Sequence, residues 1–330
     1  MEHKNLVKAL AFFAGMAVLL SIMIHIPSAA ADPYKAAIAS VSPRDDMSWG
    51  TGHYNMYVWC QKKFPDIEVA YADKVPFPEL ESTLNDWATR GFNFIHVGSA
   101  WVDAVKIVAP NYPKVMFGIT DGDLKGPNIQ TVDWRSEQCG YLSGIVAGMM
   151  TKTNVLAWVA AAEYPDVVRV GEAFKVGARS VNPKVKILDN YIGTWEDQAL
   201  AYEAASAMAD AKADVFLHIA DQAALGLIKL VKDRNLWHIG EHLDQRPLAP
   251  DNTLCSFLHA FEEVWERNLN DARSGHFGDK IVNWGAKEGW PLMKLEQDIL
   301  PLKVIETVQQ SYIDIACGKL DVPYVTKPTK

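Results

Sequence analysis

The sequence predicts an α/β protein of two doubly wound lobes, each built on a parallel sheet. Short apolar runs of strand type alternate with helix-like stretches. That alternation starts twice along the chain. The length, 330 residues, is about twice a common domain. Strands that read as continuous apolar runs belong to parallel sheets covered by helices on both faces. Two successive runs therefore imply two such lobes.

The first run opens with a strand predicted over 35–42 (KAAIASVS), ended by Ser-Pro. A helix over 49–64 follows, closed by Pro65, which cannot continue it. Strands are predicted over 67–72, 92–97 (FNFIHV), 115–120 (VMFGIT) and 129–132, with helices over 78–90 and 104–109 between them. Gly91 and Pro110 supply the helix stops. The second run holds helices over 137–150, 167–181, 198–211 and 222–234 and strands over 155–160, 185–190, 215–219 and 236–240. A further strand (TLCSFL) precedes a helix over 260–272. The first lobe is expected to hold 32–132 plus 256–282, and the second 133–255 plus part of 283–330. The Gly-rich stretch Gly140 to Gly148 falls inside a helix pattern, so it is expected to allow close helix packing rather than to cradle phosphate.

Residues 1–31 are a different material. His3, Lys4 and Lys8 precede an apolar run from Ala9 to Ile26, and Ser28-Ala29-Ala30-Ala31 supplies small residues. This pattern predicts a secretory signal peptide cleaved after Ala31. The run is long for such a segment, which leaves an uncleaved anchor as the alternative. No Cys stands at the small-residue site to carry a lipid. An exported chain meets an oxidising compartment. Cys60, Cys139, Cys255 and Cys317 allow three pairings; spacing selects none, and one bridge or no bridge weigh equally.

The formal charge is −8, which argues against a nucleic-acid partner, because phosphate binding needs clustered Lys and Arg. Lys62, Lys63, Lys184 and Lys186 read as solvated surface. The sequence has no G-x-S-x-G elbow, no H-E-x-x-H and no G-x-x-x-x-G-K-[ST]. No catalytic residue, cofactor or metal is assigned.

Ligands of open parallel sheets bind outside the carboxyl ends of the strands. The residues after the predicted strands are therefore the candidates. They include Asp46 and Trp49, Trp101, Asp121, Trp195 and Asp197, Asp221, and Glu241, His242 and Asp244. Indoles can stack on a planar ligand, and carboxylates accept from ring N–H or hydroxyl groups. Each also has a plainer role. A Trp packs in a core, and Asp46 or Asp197 can cap the helix that follows.

Several segments resemble the basic membrane protein group of periplasmic solute-binding proteins, purine and nucleoside branch. Asp46-Met47-Ser48-Trp49 with His53 resembles a D-x-G-W…H pattern, with Ser48 in place of Gly. Gly91 to Trp101, Tyr112-Pro113-Lys114-Val115 with Phe117, and Glu137 to Asn154 (with YLSG and MTKTN) follow family stretches in order. So do Gly177 to Pro183 (GARSVNP), Trp195-Glu196-Asp197, Ala213-Asp214-Val215 and Ile239-Gly240. The similarity spans roughly residues 36–260. It implies the type I periplasmic-binding-protein fold, two lobes joined by a multi-strand hinge. It also implies a purine-like ligand clamped between them, with Trp49 and Trp101 as walls and Asp121, Trp195 and Asp221 near the ligand. Two positions depart. His242 stands where the family often has an acid, and His259 where it has a Lys. In nucleoside binders those positions serve the sugar, so a free nucleobase is at least as well accommodated.

The expected function is that of a monomeric periplasmic or extracellular receptor which delivers its ligand to an ABC permease by hinge closure. The alternatives are an exported enzyme using Asp121 and Asp221, and a ligand-sensing subunit of a membrane signalling protein.

Overall fold

The computed structural model describes residues 33–290 and 292–329. The predicted leader, residues 1–31, lies outside them. The first sheet contains β1 (Tyr34–Ala39), β2 (Ile67–Ala72), β3 (Phe94–Gly98), β4 (Met116–Thr120), β5 (Ile129–Trp134) and β11 (Lys280–Trp284). Their order is β11-β5-β4-β3-β1-β2, and every pairing is parallel. The second contains β6 (Val155–Ala160), β7 (Lys186–Tyr191), β8 (Val215–Ile219), β9 (Trp237–Gly240), β10 (Thr253–Phe257) and β12 (Met293–Leu295). Its order is β12-β10-β9-β8-β6-β7, with only the edge strand β12 antiparallel. The two windings are the same. Each has its topological switch point beside its first strand, between β1 and β3 and between β6 and β8, where such sheets open a crevice.

Helices α1 (Trp49–Lys63), α2 (Leu80–Thr89) and α3 (Val102–Val108) connect the first winding. Helices α4 (Ser136–Met150), α5 (Pro165–Val181), α6 (Gln198–Asp210) and α7 (Ala224–Asp233) connect the second. α8 (Phe261–Ser274) packs on α1 and on β3 to β5, while α9 (Leu302–Ala316) packs on α4. The chain crosses between the sheets after β5, after β10 and after β11, which makes the multi-strand hinge.

The central strands are apolar because both faces are covered. Every residue of β3 and of β8 is buried. The first strand ends earlier than predicted. Ser42 N–H turns back to Ser40 Oγ at 3.1 Å, and Pro43 has no N–H for a ladder. The helices predicted from 78, 104 and 222 begin at Leu80, Val102 and Ala224, the first and last after a 3₁₀ turn that the pattern absorbed into the helix. β11, β12 and α9 had no counterpart in the strand-helix alternation. β11 is an edge strand whose residues alternate between half-buried and exposed, so it carries no apolar run.

The Gly140–Gly148 stretch does pack helices closely. A Cβ on Gly140 would lie 2.2 Å from the Val170 carbonyl oxygen, and one on Gly144 2.2 Å from that of Phe174. α4 and α5 therefore meet backbone to backbone, and Ser136 to Gly148 are all buried. The cysteine alternative resolves to no bridge. Cys60, Cys139 and Cys255 are buried and free, and Cys317 is exposed and free. Lys62, Lys63, Lys184 and Lys186 are exposed. Among the described residues no helix is long and apolar enough to cross a membrane.

Candidate functional site

The crevice begins where β1 ends. The Asp46 carboxylate sits over the start of α1 and accepts the N–H groups of Ser48, Gly50 and Thr51 at 2.7–2.9 Å. Anchored this way, α1 presents Trp49 at its first position. The indole lies over Gly98 at the end of β3, where a Cβ would come within 2.8 Å of its Cζ2. His53, one turn on, is buried behind the indole with its Nδ1 2.9 Å from the Trp49 carbonyl oxygen. Burial lowers it to about 4, so its ring is neutral near pH 7.

The opposite wall comes from the second lobe. Trp195, in the loop after β7, stacks with Tyr164 at 6.0 Å between ring centres. Between these walls lies a cavity of about 120 Å³. Trp49, Asp121, Trp195, Asp221 and His242 all reach its lining, joined by Ser136, Tyr164, Asp166 and His259. Asp121, Asp221 and His242 share a backbone feature. Each stands just past a strand end with φ of +60°, +45° and +60°, the left-handed region that Asp and His tolerate better than most residues. Such conformations concentrate at ligand-binding turns.

Four sets of contacts tie the lobes across the crevice. Ser42 and Ser48 donate to the two oxygens of Asp221 at 3.2 and 3.0 Å. Ser99 donates to Asp166 at 3.0 Å. Gln245 donates to the Met47 carbonyl at 3.0 Å. Arg169 of α5 reaches Asp121 at 3.1 Å and Asp133 at 2.9 Å.

Electrostatics divides the site. Burial pushes Asp121 well above the ordinary carboxylate range, and Arg169 pulls against it. Burial likewise raises Asp221, but there the nearby Asp46 and Glu241 push the same way. Only the serine hydroxyls oppose them. Glu241 is also raised by burial; its carboxylate accepts the N–H groups of Ala220 and Asp221 at 3.2 and 3.0 Å. Asp221, Glu241 and His242 bring donor atoms within 4.8 Å of one another, close enough for one cation. Both carboxylates, however, are already engaged by protein donors.

The remaining candidates lie elsewhere. Trp101 is only 1% exposed and sits in the core of the first lobe, away from the cavity lining. It closes the 3₁₀ turn Ser99–Trp101 and belongs to the buried apolar cluster that includes Val97 and Val105. Asp197 caps α6 by accepting the Leu200 N–H at 3.0 Å. Asp244 accepts from Lys294 at 2.6 Å and from the Arg246 N–H at 3.1 Å. Asp46, His53 and Glu241 form the layer behind the lining. Reasoning from strand ends overlooked Ser136, Asp166 and Arg169. Ser136 opens the helix after the first hinge crossing, and Asp166 and Arg169 lie in the first turns of α5. Reading the hinge crossings and helix starts beside the strand ends would have exposed them.

With this geometry in view, known proteins place the chain. A relative from Haloferax volcanii, the putative ABC transporter glucose-binding protein TsgA13, is 26% identical over 289 residues, covering 87% of this chain and 73% of that protein. The purine-binding protein BAB2_0673 of Brucella abortus is 23% identical over 310 residues, covering 93% and 87%. In fold, the chain is similar to a solute-binding protein of an ABC transporter system from Aeropyrum pernix K1. The TM-score is 0.79 at 19% identity, over 88% of this chain and 94% of that one. The family model for PnrA-like ABC transporter substrate-binding proteins matches residues 34–325, and the chain belongs to that family, Bmp.

Proposed function

We propose that this chain is an exported receptor that closes over one small, planar, uncharged heterocycle of nucleobase size and presents it to an ABC permease. The walls of the cavity carry the reading. The cavity of about 120 Å³ between Trp49 and Trp195 adjoins a larger one of about 870 Å³ that shares Ser99, Tyr164 and Asp166, so the walls set the ligand class and the volume does not. The indole faces favour stacking on a ring. Ser42, Ser48, Ser99, Asp166 and Asp221 are already bonded to one another across the crevice, which disfavours a hydroxyl-rich sugar. The printed name of the Brucella relative agrees with a purine, and that of the Haloferax relative points to a hexose. The leader pattern in residues 1–31 and the family both fit a receptor working outside the cytoplasm.

The test is a thermal-shift series with adenine, hypoxanthine, adenosine, inosine and D-glucose, followed by mass spectrometry of the recovered ligand. A free base at 100 times its Kd should stabilise the protein by about 2.7 kcal/mol and be recovered intact. A larger shift with a nucleoside or with glucose overturns the nucleobase reading. Chemical change in the recovered ligand would favour an enzyme instead.

A further inference from the structure

His242 and His259 meet on the cavity lining through their Nδ1 atoms, 2.8 Å apart. The far nitrogen of His259, Nε2, lies 3.2 Å from Ser136 Oγ. The far nitrogen of His242 has no hydrogen-bond partner among the described residues; the nearest carboxylate oxygen, on Glu241, is 3.9 Å away. Packing fixes both rings. His259 stacks on Trp134 at 4.0 Å, and His242 stands edge-on to Trp49 at 5.3 Å and to Phe257 at 5.4 Å. Burial keeps both imidazoles neutral, His242 lowered to about 3 and His259 well below its ordinary value.

A hydrogen bond between two neutral Nδ1 atoms needs one proton between them, and each neutral ring carries a single N–H. Two arrangements satisfy this. In one, His242 Nδ1–H donates to His259, so His242 Nε2 is a bare acceptor. His259 Nε2–H then donates to Ser136, whose hydroxyl proton is free to donate elsewhere. In the other, His259 Nδ1–H donates to His242, so His242 Nε2 carries the proton. Ser136 then donates to His259 and is left as an acceptor. The polarity of both ends inverts together. The exchange takes one proton from water at His242 Nε2 and returns one to water at the Ser136 end, so no charge accumulates.

We infer that Ser136, His259 and His242 form a tautomeric relay that lets the site accept amino- and oxo-substituted heterocycles alike. This inference rests on the nucleobase reading above and names the residues that set its breadth. Because the rings are held in place, changing the proton pattern is the way left to match a ligand of opposite polarity. Adenine and hypoxanthine are the natural probes. Adenine offers an amino donor beside a bare ring nitrogen, and hypoxanthine a carbonyl acceptor beside a ring N–H.

The experiment uses the wild-type protein labelled with ¹⁵N-histidine. Calorimetry gives the two affinities, and the ¹⁵N shifts of His242 and His259 report which nitrogen is protonated in each complex. We expect both bases to bind within about tenfold of each other, where a site of fixed polarity would separate them by roughly 10,000-fold or more. The protonated nitrogen of His242 should differ between the complexes. The same tautomer in both, or a preference above a thousandfold, overturns the relay and leaves the nucleobase reading standing. Failure of both bases to bind overturns the reading and the relay with it.

Discussion

The two sides of the crevice handle buried carboxylates in opposite ways. On one side Arg169 gathers Asp121, Asp133 and Glu137, and Arg135 pairs with Glu137 as well. On the other, Asp46, Asp221 and Glu241 lie together with no Lys or Arg partner among the described residues; hydroxyl and backbone N–H donors are their only support. The first side is held by charge pairing. On the second, neutral donors favour the ionised carboxylate, while burial and the neighbouring acids favour the protonated one. The two sides therefore differ in what opposes burial: guanidinium charge on one, neutral hydrogen-bond donors on the other.

The largest effect should come from the charged side. Arg169→Met leaves buried carboxylates without their cation and should cost about 3–5 kcal/mol of stability in urea unfolding. A loss under 1 kcal/mol would mean that the three acids are already neutral and that the two sides do not differ.

The uncharged side should show itself in pH dependence. The folded pKa of Asp221 is raised above its unfolded value near 3.8. Its contribution is then complete below that value and is lost as pH rises toward the folded pKa, at up to about 1.4 kcal/mol per pH unit. Asp221→Asn mimics the protonated acid, so its stability relative to wild type should grow from pH 4 to pH 8. The buried histidines act with the other sign, since their folded values are lowered: their contribution is present above about 6.5 and is lost as pH falls. Subtracting the two unfolding curves cancels that background. A flat difference would place Asp221 with the ordinary ionised carboxylates.

Trp49→Ala should weaken ligand binding by ~1–3 kcal/mol if its indole stacks on the ring. An unchanged Kd in a folded variant removes the stacking wall. Smallest is Asp197→Ala, expected to cost about 1 kcal/mol of stability through the lost cap of α6 while leaving the Kd alone. A changed Kd would return Asp197 to the ligand.

Much of this molecule was legible because its physics is local. The apolar runs of β3 and β8 and the stops at Gly91 and Pro65 announce themselves in a single pass. So does the small-residue row of α4, whose Gly140 and Gly144 have no side chain to keep α5 away. The candidate site was legible only in part. Strand ends led to Trp49, Asp121, Trp195, Asp221 and His242, all on the lining. The same rule also led to Trp101, because a strand end fixes where a residue stands but not whether its side chain turns to the crevice or to the core. Asp46 and Asp197 show the ambiguity resolved toward helix capping.

By itself, then, the sequence determined the double winding, the alternation of layers and the set of turns in which a site had to lie, since these follow from periodicity and from the backbone limits of Gly and Pro. The tertiary structure alone decided the partners. Ser42 and Asp221 are 179 residues apart, Ser136 and His259 123. Closing such distances depends on how the two sheets share their hinge, and no local pattern encodes it. The pairing of His242 with His259, two scattered imidazoles in the sequence, became a chemical unit only when β9 and the crossing after β10 brought them to 2.8 Å.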